Sequence, residues 1–190
     1  MLLFREKIPG DWLPKVMANL PDVLVDHAHL ERKAATSALN LEKFHDLFAR
    51  VDELNAIAIE ELQHFQLVLA LLKRRGIPFG QPYPSKWIAG LMRAIRNGER
   101  FQVIDHLICC SLIEGRSCEK FQVLATALRE CDSELAGFYA GLVESEGNHY
   151  ATYLLMAKAI HEPETERRLD FFLDLDAKLI REPNPRPLLH

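Results

Sequence analysis

Six residues in this chain have the types and the spacing to hold a pair of metal ions. Glu31 is followed thirty residues later by Glu61-Leu-Gln-His64, and Glu114 is followed thirty-two residues later by Glu146-Gly-Asn-His149. Within each Glu-x-x-His the two side chains are three residues apart, so on a helix they point the same way and can grip one ion. A lone glutamate on a neighbouring antiparallel helix completes each half-site. Two half-sites facing each other across a four-helix bundle form a carboxylate-bridged dimetal centre. The spacing therefore predicts a chain built to hold two irons.

Glu-x-x-His by itself carries little weight. With 8 histidines and 17 glutamates in 190 residues, about 0.7 occurrences are expected by chance. Three occur, because Glu42-Lys-Phe-His45 also fits. Glu42 is eleven residues beyond Glu31, about 16 Å along a helix axis, and it stands in a polar stretch; a solvated face explains it. The other six residues interrupt apolar stripes. Four carboxylates in one small core would repel one another and lose their hydration, and two divalent cations remove that cost. Buried Glu–Arg or Glu–His pairs explain one or two such residues, not six at matched levels. Carboxylate and imidazole donors without thiolate suit iron or manganese, and oxygen chemistry favours iron.

Several neighbours have two readings each. His27, one turn before Glu31, is either an ordinary partly buried histidine or a hydrogen-bond partner of a ligand. Asp26 and Asp105 are either surface charges or groups that orient ligand histidines. Tyr139, Tyr150 and Tyr153 read as core aromatics. Arg116 and Glu119, beside Glu114, read as part of a polar network.

Positioning the six ligands requires four long helices. After an irregular arm (1–20) with one helical turn past Asp11, helix A is expected from Pro21-Asp22, with proline and an acid suited to the first turn. Its stripe is Leu24, His27, Ala28, Glu31, Ala34, Ala35, Ala38 and Leu41. A turn near His45–Arg50 lies midway between Glu31 and the Glu61/His64 pair, as antiparallel helices require. Helix B is expected to carry Leu54, Ile57, Ala58, Glu61, His64, Phe65, Val68, Leu71 and Leu72 on one face, and ends at Arg75-Gly76 ahead of Pro78. The proline-rich stretch that follows, with a short helix from Ser85 to Arg96, is a long crossover (76–97). Helix C runs from Asn97-Gly98 to Arg129, and Cys131–Ser133 turns into helix D with Asp132 or Ser133 as cap. A further helix is expected over 163–181 and a proline-rich tail over 182–190. The fold class is all-α: a ferritin-like four-helix bundle in one domain (1–190, core 21–160), with a long crossover between helices B and C and an extra C-terminal helix.

At 48% hydrophobic residues the composition is that of a soluble globular chain. No apolar run reaches eighteen residues, so no membrane span is expected, and Arg5, Glu6 and Lys7 come too early for a secretory segment. Cys109, Cys110, Cys118 and Cys131 lack C-x-x-C spacing and read as reduced thiols of a cytoplasmic protein. The net charge is −4, but it is unevenly spread. Between Leu71 and Arg100 stand Lys73, Arg74, Arg75, Lys86, Arg93, Arg96 and Arg100 against the single acid Glu99. That segment is either a phosphate-binding footprint or a solvated basic surface.

The stretches DHAHLERKAATSAL (26–39), EELQHFQLVL (60–69), SLIEGRSCEKF (111–121) and ESEGNHYATYLL (144–155) resemble the bacterial tRNA-(2-methylthio-N-isopentenyladenosine) hydroxylases, ferritin-like di-iron monooxygenases. The run around Glu114 to Phe121 is the most specific part. This chain departs from the family's usual alanine at Gly115 and usual arginine at Asn148. The resemblance implies that Glu31 and His64 serve one iron, Glu114 and His149 the other, with Glu61 and Glu146 bridging. It further implies that O2 is the co-substrate and that a methyl C–H of the isopentenyl group beside the anticodon is hydroxylated. The partners implied are the tRNA anticodon stem-loop and an external electron donor such as a ferredoxin or reductase, because no flavin or nicotinamide motif is visible. A monomer or small homo-oligomer is expected. Two other readings remain open at this stage. One is an iron-oxidising or peroxide-reducing protein of the ferritin or rubrerythrin kind; the other is a non-catalytic RNA-binding bundle with structural metals.

Overall fold

The computed structural model describes residues 2–182, 186 and 188–190. The helices among them are α1 (Trp12–Met17), α2 (Leu20–Leu41), α3 (Val51–Arg74), α4 (Lys86–Arg93), α5 (Gln102–Ala127) and α6 (Ser133–Leu179), with a 3-10 helix at His45–Arg50. The chain falls into two compact units. One contains the arm to Leu13, Trp87–Glu182 and His190; the other contains Pro14–Lys86 with Arg186, Leu188 and Leu189.

In the second of these units α2 and α3 form a helical hairpin. Pro21 and Asp22 occupy the first turn of α2, where a missing N–H costs nothing and an acid meets the helix dipole. The buried residues follow the 3.6-residue period: Leu24, Ala28, Glu31, Ala35 and Ala38 on α2, and Leu54, Ile57, Glu61, His64, Val68, Leu71 and Leu72 on α3. Each buried leucine, isoleucine or valine contributes roughly 1.5–3 kcal/mol, and that apolar stripe is what lets the hairpin hold carboxylates in its middle. The turn falls at His45–Arg50 as the spacing predicts. Helix α3 ends in a Schellman motif: Gly76 takes φ 65°, its N–H donates to the Lys73 carbonyl and the N–H of Ile77 donates to that of Leu72 (2.9 Å).

The other unit pairs α5 with α6. Asp132 caps α6 by accepting the Leu135 N–H (3.1 Å). The helix expected to end before Pro163 and the one expected to begin there are both present, and they meet within α6 at a break at His161 (φ −163°, ψ 97°). His161 Nδ1 accepts the Glu164 N–H (3.1 Å), and Thr165 Oγ1 donates to the carbonyls of Ala157 and His161. The break thus ends one helix and caps the next, with Pro163 in the new first turn.

The connection into α5 departs from expectation. Helix α4 stops at Arg93 rather than Arg96, and α5 begins at Gln102 rather than Asn97. Gly98 is in the left-handed region (φ 72°), and its N–H donates to Gln102 Oε1 (3.1 Å), which closes a turn in place of helix. The Arg96 N–H is meanwhile drawn to Asp105 Oδ2 (3.0 Å). Of the tail, 183–185 and 187 lie outside the described residues; Leu188, Leu189 and His190 are buried. No helix among the described residues is long and apolar enough to cross a membrane.

Candidate functional site

In the α2–α3 unit, Glu31 on α2 and Glu61 and His64 on α3 offer ligand atoms that all lie within 4.8 Å of one another. All three are buried, Glu61 completely. His64 Nδ1 is 3.7 Å from Glu31 Oε2 and 3.8 Å from Glu61 Oε2. His27 Nε2, one turn earlier on α2, is hydrogen-bonded to Glu31 Oε1, so His27 is the partner of a candidate ligand. Burial would raise the Glu31 carboxyl, but the His27 and His64 imidazoles and a bond to Glu61 outweigh it and hold the group well below the usual carboxylate range. Burial would lower His64, but bonds and charge from Glu31 and Glu61 push it up to about 10. The two carboxylates here draw positive charge onto His64, which is the electrostatic condition of a cation site.

In the α5–α6 unit, Glu114 on α5 and Glu146 and His149 on α6 make the matching set, again within 4.8 Å of one another and all buried. The Glu146-Gly-Asn-His149 spacing puts both α6 side chains on one face. Tyr139 and Tyr153 are fully buried on α6, and Ser111 Oγ donates to the Tyr150 carbonyl (2.8 Å). Burial, then the Glu114 carboxylate, pushes the Cys110 thiol up to about 12, so it stays protonated beside a carboxylate–imidazole donor set.

The third Glu-x-x-His is not assembled as a ligand pair: α2 ends at Leu41 before Glu42, and His45 is exposed against the Phe48 ring (5.1 Å). Asp105 does not orient a ligand histidine. Its carboxylate receives Arg96 Nε (2.9 Å) and Arg168 Nε and Nη2 (2.8 Å each), because a fully buried acid needs charged donors. Asp26 accepts the Leu189 N–H (2.9 Å). The expected network beside Glu114 is present: Arg116 is fully buried and bound to Glu119 (2.5 Å) and to Asp176 (Nε–Oδ1 3.1 Å). Phe4 lies over its guanidinium at 3.8 Å, and Trp87 Nε1 also donates to Asp176 (3.0 Å). Asp176 had no signal in the sequence, since it lies sixty residues from Arg116 in a helix rich in surface acids.

Of the basic segment, Lys73, Arg74, Lys86, Arg93 and Arg100 are exposed, Arg75 is partly buried and Arg96 is committed inward to Asp105 and Glu164 (2.6 Å). Arg96 is therefore engaged by two carboxylates of its own unit. Two residues that the sequence did not single out, His29 and Phe79, meet the helix B residue Phe65 in the α2–α3 unit: the Phe79 ring is 4.4 Å from His29 and 5.9 Å from Phe65.

Over residues 2–190 the chain matches the family described as tRNA-(MS[2]IO[6]A)-hydroxylase (MiaE). It is 34% identical over 184 residues to the tRNA 2-(methylsulfanyl)-N(6)-isopentenyladenosine(37) hydroxylase of Pseudomonas putida, which covers 96% of this chain and 88% of that one. The protein of the same description from Salmonella typhimurium is 33% identical over 166 residues, 86% of this chain but 58% of its own length. Among solved structures, Protein 43 with aldehyde deformylating oxygenase activity from Synechococcus aligns with a TM-score of 0.88 at 31% identity, covering 100% of this chain and 96% of that one. The chain has the all-α, ferritin-like fold expected from its ligand spacing.

Proposed function

This chain belongs to the tRNA-(MS[2]IO[6]A)-hydroxylase family, and from that premise we propose that it hydroxylates the isopentenyl group of 2-methylthio-N-isopentenyladenosine beside the anticodon of tRNA. The observation that carries the proposal is the pair of buried sets, Glu31, Glu61, His64 and Glu114, Glu146, His149, each with two carboxylates and an imidazole within ligand reach. Those oxygen and nitrogen donors fit iron or manganese, and in this reading they hold two irons per chain. Bound there, the metal pair supplies the activation of dioxygen that an unactivated C–H bond requires.

The protein's own residues do the rest. Three-residue spacing on α3 and α6 presents each glutamate and histidine to the same ion. His27 steadies the Glu31 carboxylate by donating its Nε2–H to Oε1. Leu24, Ala28, Ala35, Val68 and Leu71 in one unit, and Leu107, Tyr139, Leu142 and Tyr153 in the other, are buried and exclude water from the hairpins that carry the ligands. In the overall reaction one oxygen atom enters the C–H bond and the other leaves as water. That balance needs two electrons and two protons, supplied by an external reductase or ferredoxin. The exposed cations Lys73, Arg74, Lys86, Arg93 and Arg100 are proposed to meet tRNA phosphates.

Mass spectrometry of tRNA nucleosides from a strain lacking this protein tests the assignment. The hydroxylated nucleoside should vanish, its isopentenyl precursor should accumulate, and the wild-type gene should reverse both. Unchanged nucleosides would refute the assignment.

A further inference from the structure

The crossover after α3 does not lead straight away from the ligand hairpin. Its carbonyl at Gly80 accepts a hydrogen bond from His29 Nε2 (2.8 Å), and the Phe79 ring stacks on His29 (centroids 4.4 Å apart, planes at 26°) and leans on Phe65 (5.9 Å). His29 is two residues before Glu31, and Phe65 is the residue after His64. Phe79 thereby touches two residues whose own positions lie within about 3 Å, measured along the helix axes, of the level of those ligands. It lies on the outer side, since a two-residue step turns a side chain by about 200° around a helix.

The mount is rigid. His29 is itself buried (3% exposed), and with Nε2 donating to Gly80 its Nδ1 accepts from Arg32 Nη2 (3.2 Å). The ring it carries is nevertheless 43% exposed. The crossover that carries it is free of acids in sequence: no aspartate or glutamate occurs between Glu61 and Glu99, and Arg32, Lys73 and Arg74 are exposed. A fixed, solvent-facing aromatic in an acid-free, cationic stretch is the combination that binds unpaired nucleobases, with the ring taking the base and the cations the phosphates.

We propose that Phe79, mounted on His29, is a stacking platform for an unpaired nucleobase of the tRNA anticodon loop, with Arg32 as a flanking cation. The proposal rests on the tRNA reading above and adds to it a residue that holds the loop at the level of the Glu31 and His64 ligands. It also supplies a reason for the crossover to fold back rather than extend.

The test uses iron-loaded full-length protein and an RNA stem-loop carrying the isopentenylated adenosine, with binding and turnover measured across a salt series. Phe79→Ala and Phe79→Leu should each weaken binding by roughly five- to a hundredfold, the range of base–aromatic stacking losses, and raise KM more than they lower kcat. Phe79→Trp should retain wild-type affinity, and its fluorescence should be quenched by the RNA. The salt slope should stay unchanged in all three, because stacking releases no counterions. Leucine preserves the apolar contact with His29 and Phe65, so it decides the matter should alanine disturb the fold. Wild-type affinity in the leucine variant, or equal loss in the leucine and tryptophan variants, would overturn the stacking role and leave the tRNA reading standing. Failure of the wild type to bind the stem-loop would overturn both.

Discussion

Glu61 and Glu146 share a helix face with His64 and His149, and each is buried within ligand reach of its own set. Replacing either by alanine should lower the iron content from about two per chain to below one, measured by metal analysis after reconstitution. Glu42→Ala and His45→Ala should leave it unchanged, because His45 faces solvent. Equal loss from Glu42→Ala and Glu61→Ala would mean that the wrong carboxylates have been chosen. Gly115 gives a second prediction at this scale. A Cβ there would stand 2.8 Å from the Tyr150 ring and 2.9 Å from that of Phe4, so Gly115→Ala should cost about 1–3 kcal/mol in denaturant unfolding. Phe4 belongs to the terminal arm and can yield, so Phe4→Ala in the same chain should recover part of that cost. A fully additive double mutant would show that Phe4 and Gly115 do not touch in solution. The two buried carboxylate–imidazole sets were legible in the sequence because a charged residue inside an apolar stripe is conspicuous. Their supporting residues were not: Asp176 and Arg168 meet Arg116 and Asp105 only after sixty residues of chain have folded back.

The helices repeat that contrast. Local chemistry marked the Pro21-Asp22 start of α2, the Gly76 stop of α3 and the Asp132 cap of α6, and the structure places all three there. The late start of α5 depends on side-chain bonds from Gln102 and Asp105 to the backbone ahead of the helix, which hydrophobic periodicity does not announce. The Arg96–Asp105–Arg168–Glu164 cluster that ties α5 to α6 also makes stability depend on pH. Burial would raise Asp105, but bonds from Arg96 and Arg168 lower it; Arg167, against slight burial and with help from Arg96, lowers Glu164 to about 2. Carboxyls depressed in the folded state stabilise it above their unfolded pKa of roughly 4. That contribution is lost as the pH falls from about 4.5 towards 2. Glu164→Gln should therefore be less stable than wild type at pH 7, and the difference should shrink through that acid window. Thermal unfolding across pH checks it; a difference that grows on acidification would contradict the assignment.

For the whole molecule, the net charge of −4 conceals a basic stretch after Glu61, and tRNA binding should reveal it through salt. With Arg96 occupied internally, Arg93→Glu with Arg100→Glu is the informative pair. Each lost phosphate contact should flatten the slope of log affinity against log salt by roughly 0.7–0.9, with iron content unchanged. An unaltered slope would move the RNA to another face. The fold, the ligand sets and the family of this chain converge on one reaction, and one measurement addresses it directly. Iron-loaded protein, a chemical reductant or ferredoxin system and tRNA bearing 2-methylthio-N-isopentenyladenosine are incubated under 18O2, and the nucleosides are analysed by mass spectrometry. The account predicts a hydroxylated nucleoside carrying a single 18O atom on its isopentenyl group, formed by wild type and absent with Glu61→Ala. Wild-type protein with full iron that consumes oxygen yet leaves the nucleoside unmodified, or a product whose new oxygen comes from water, would contradict it.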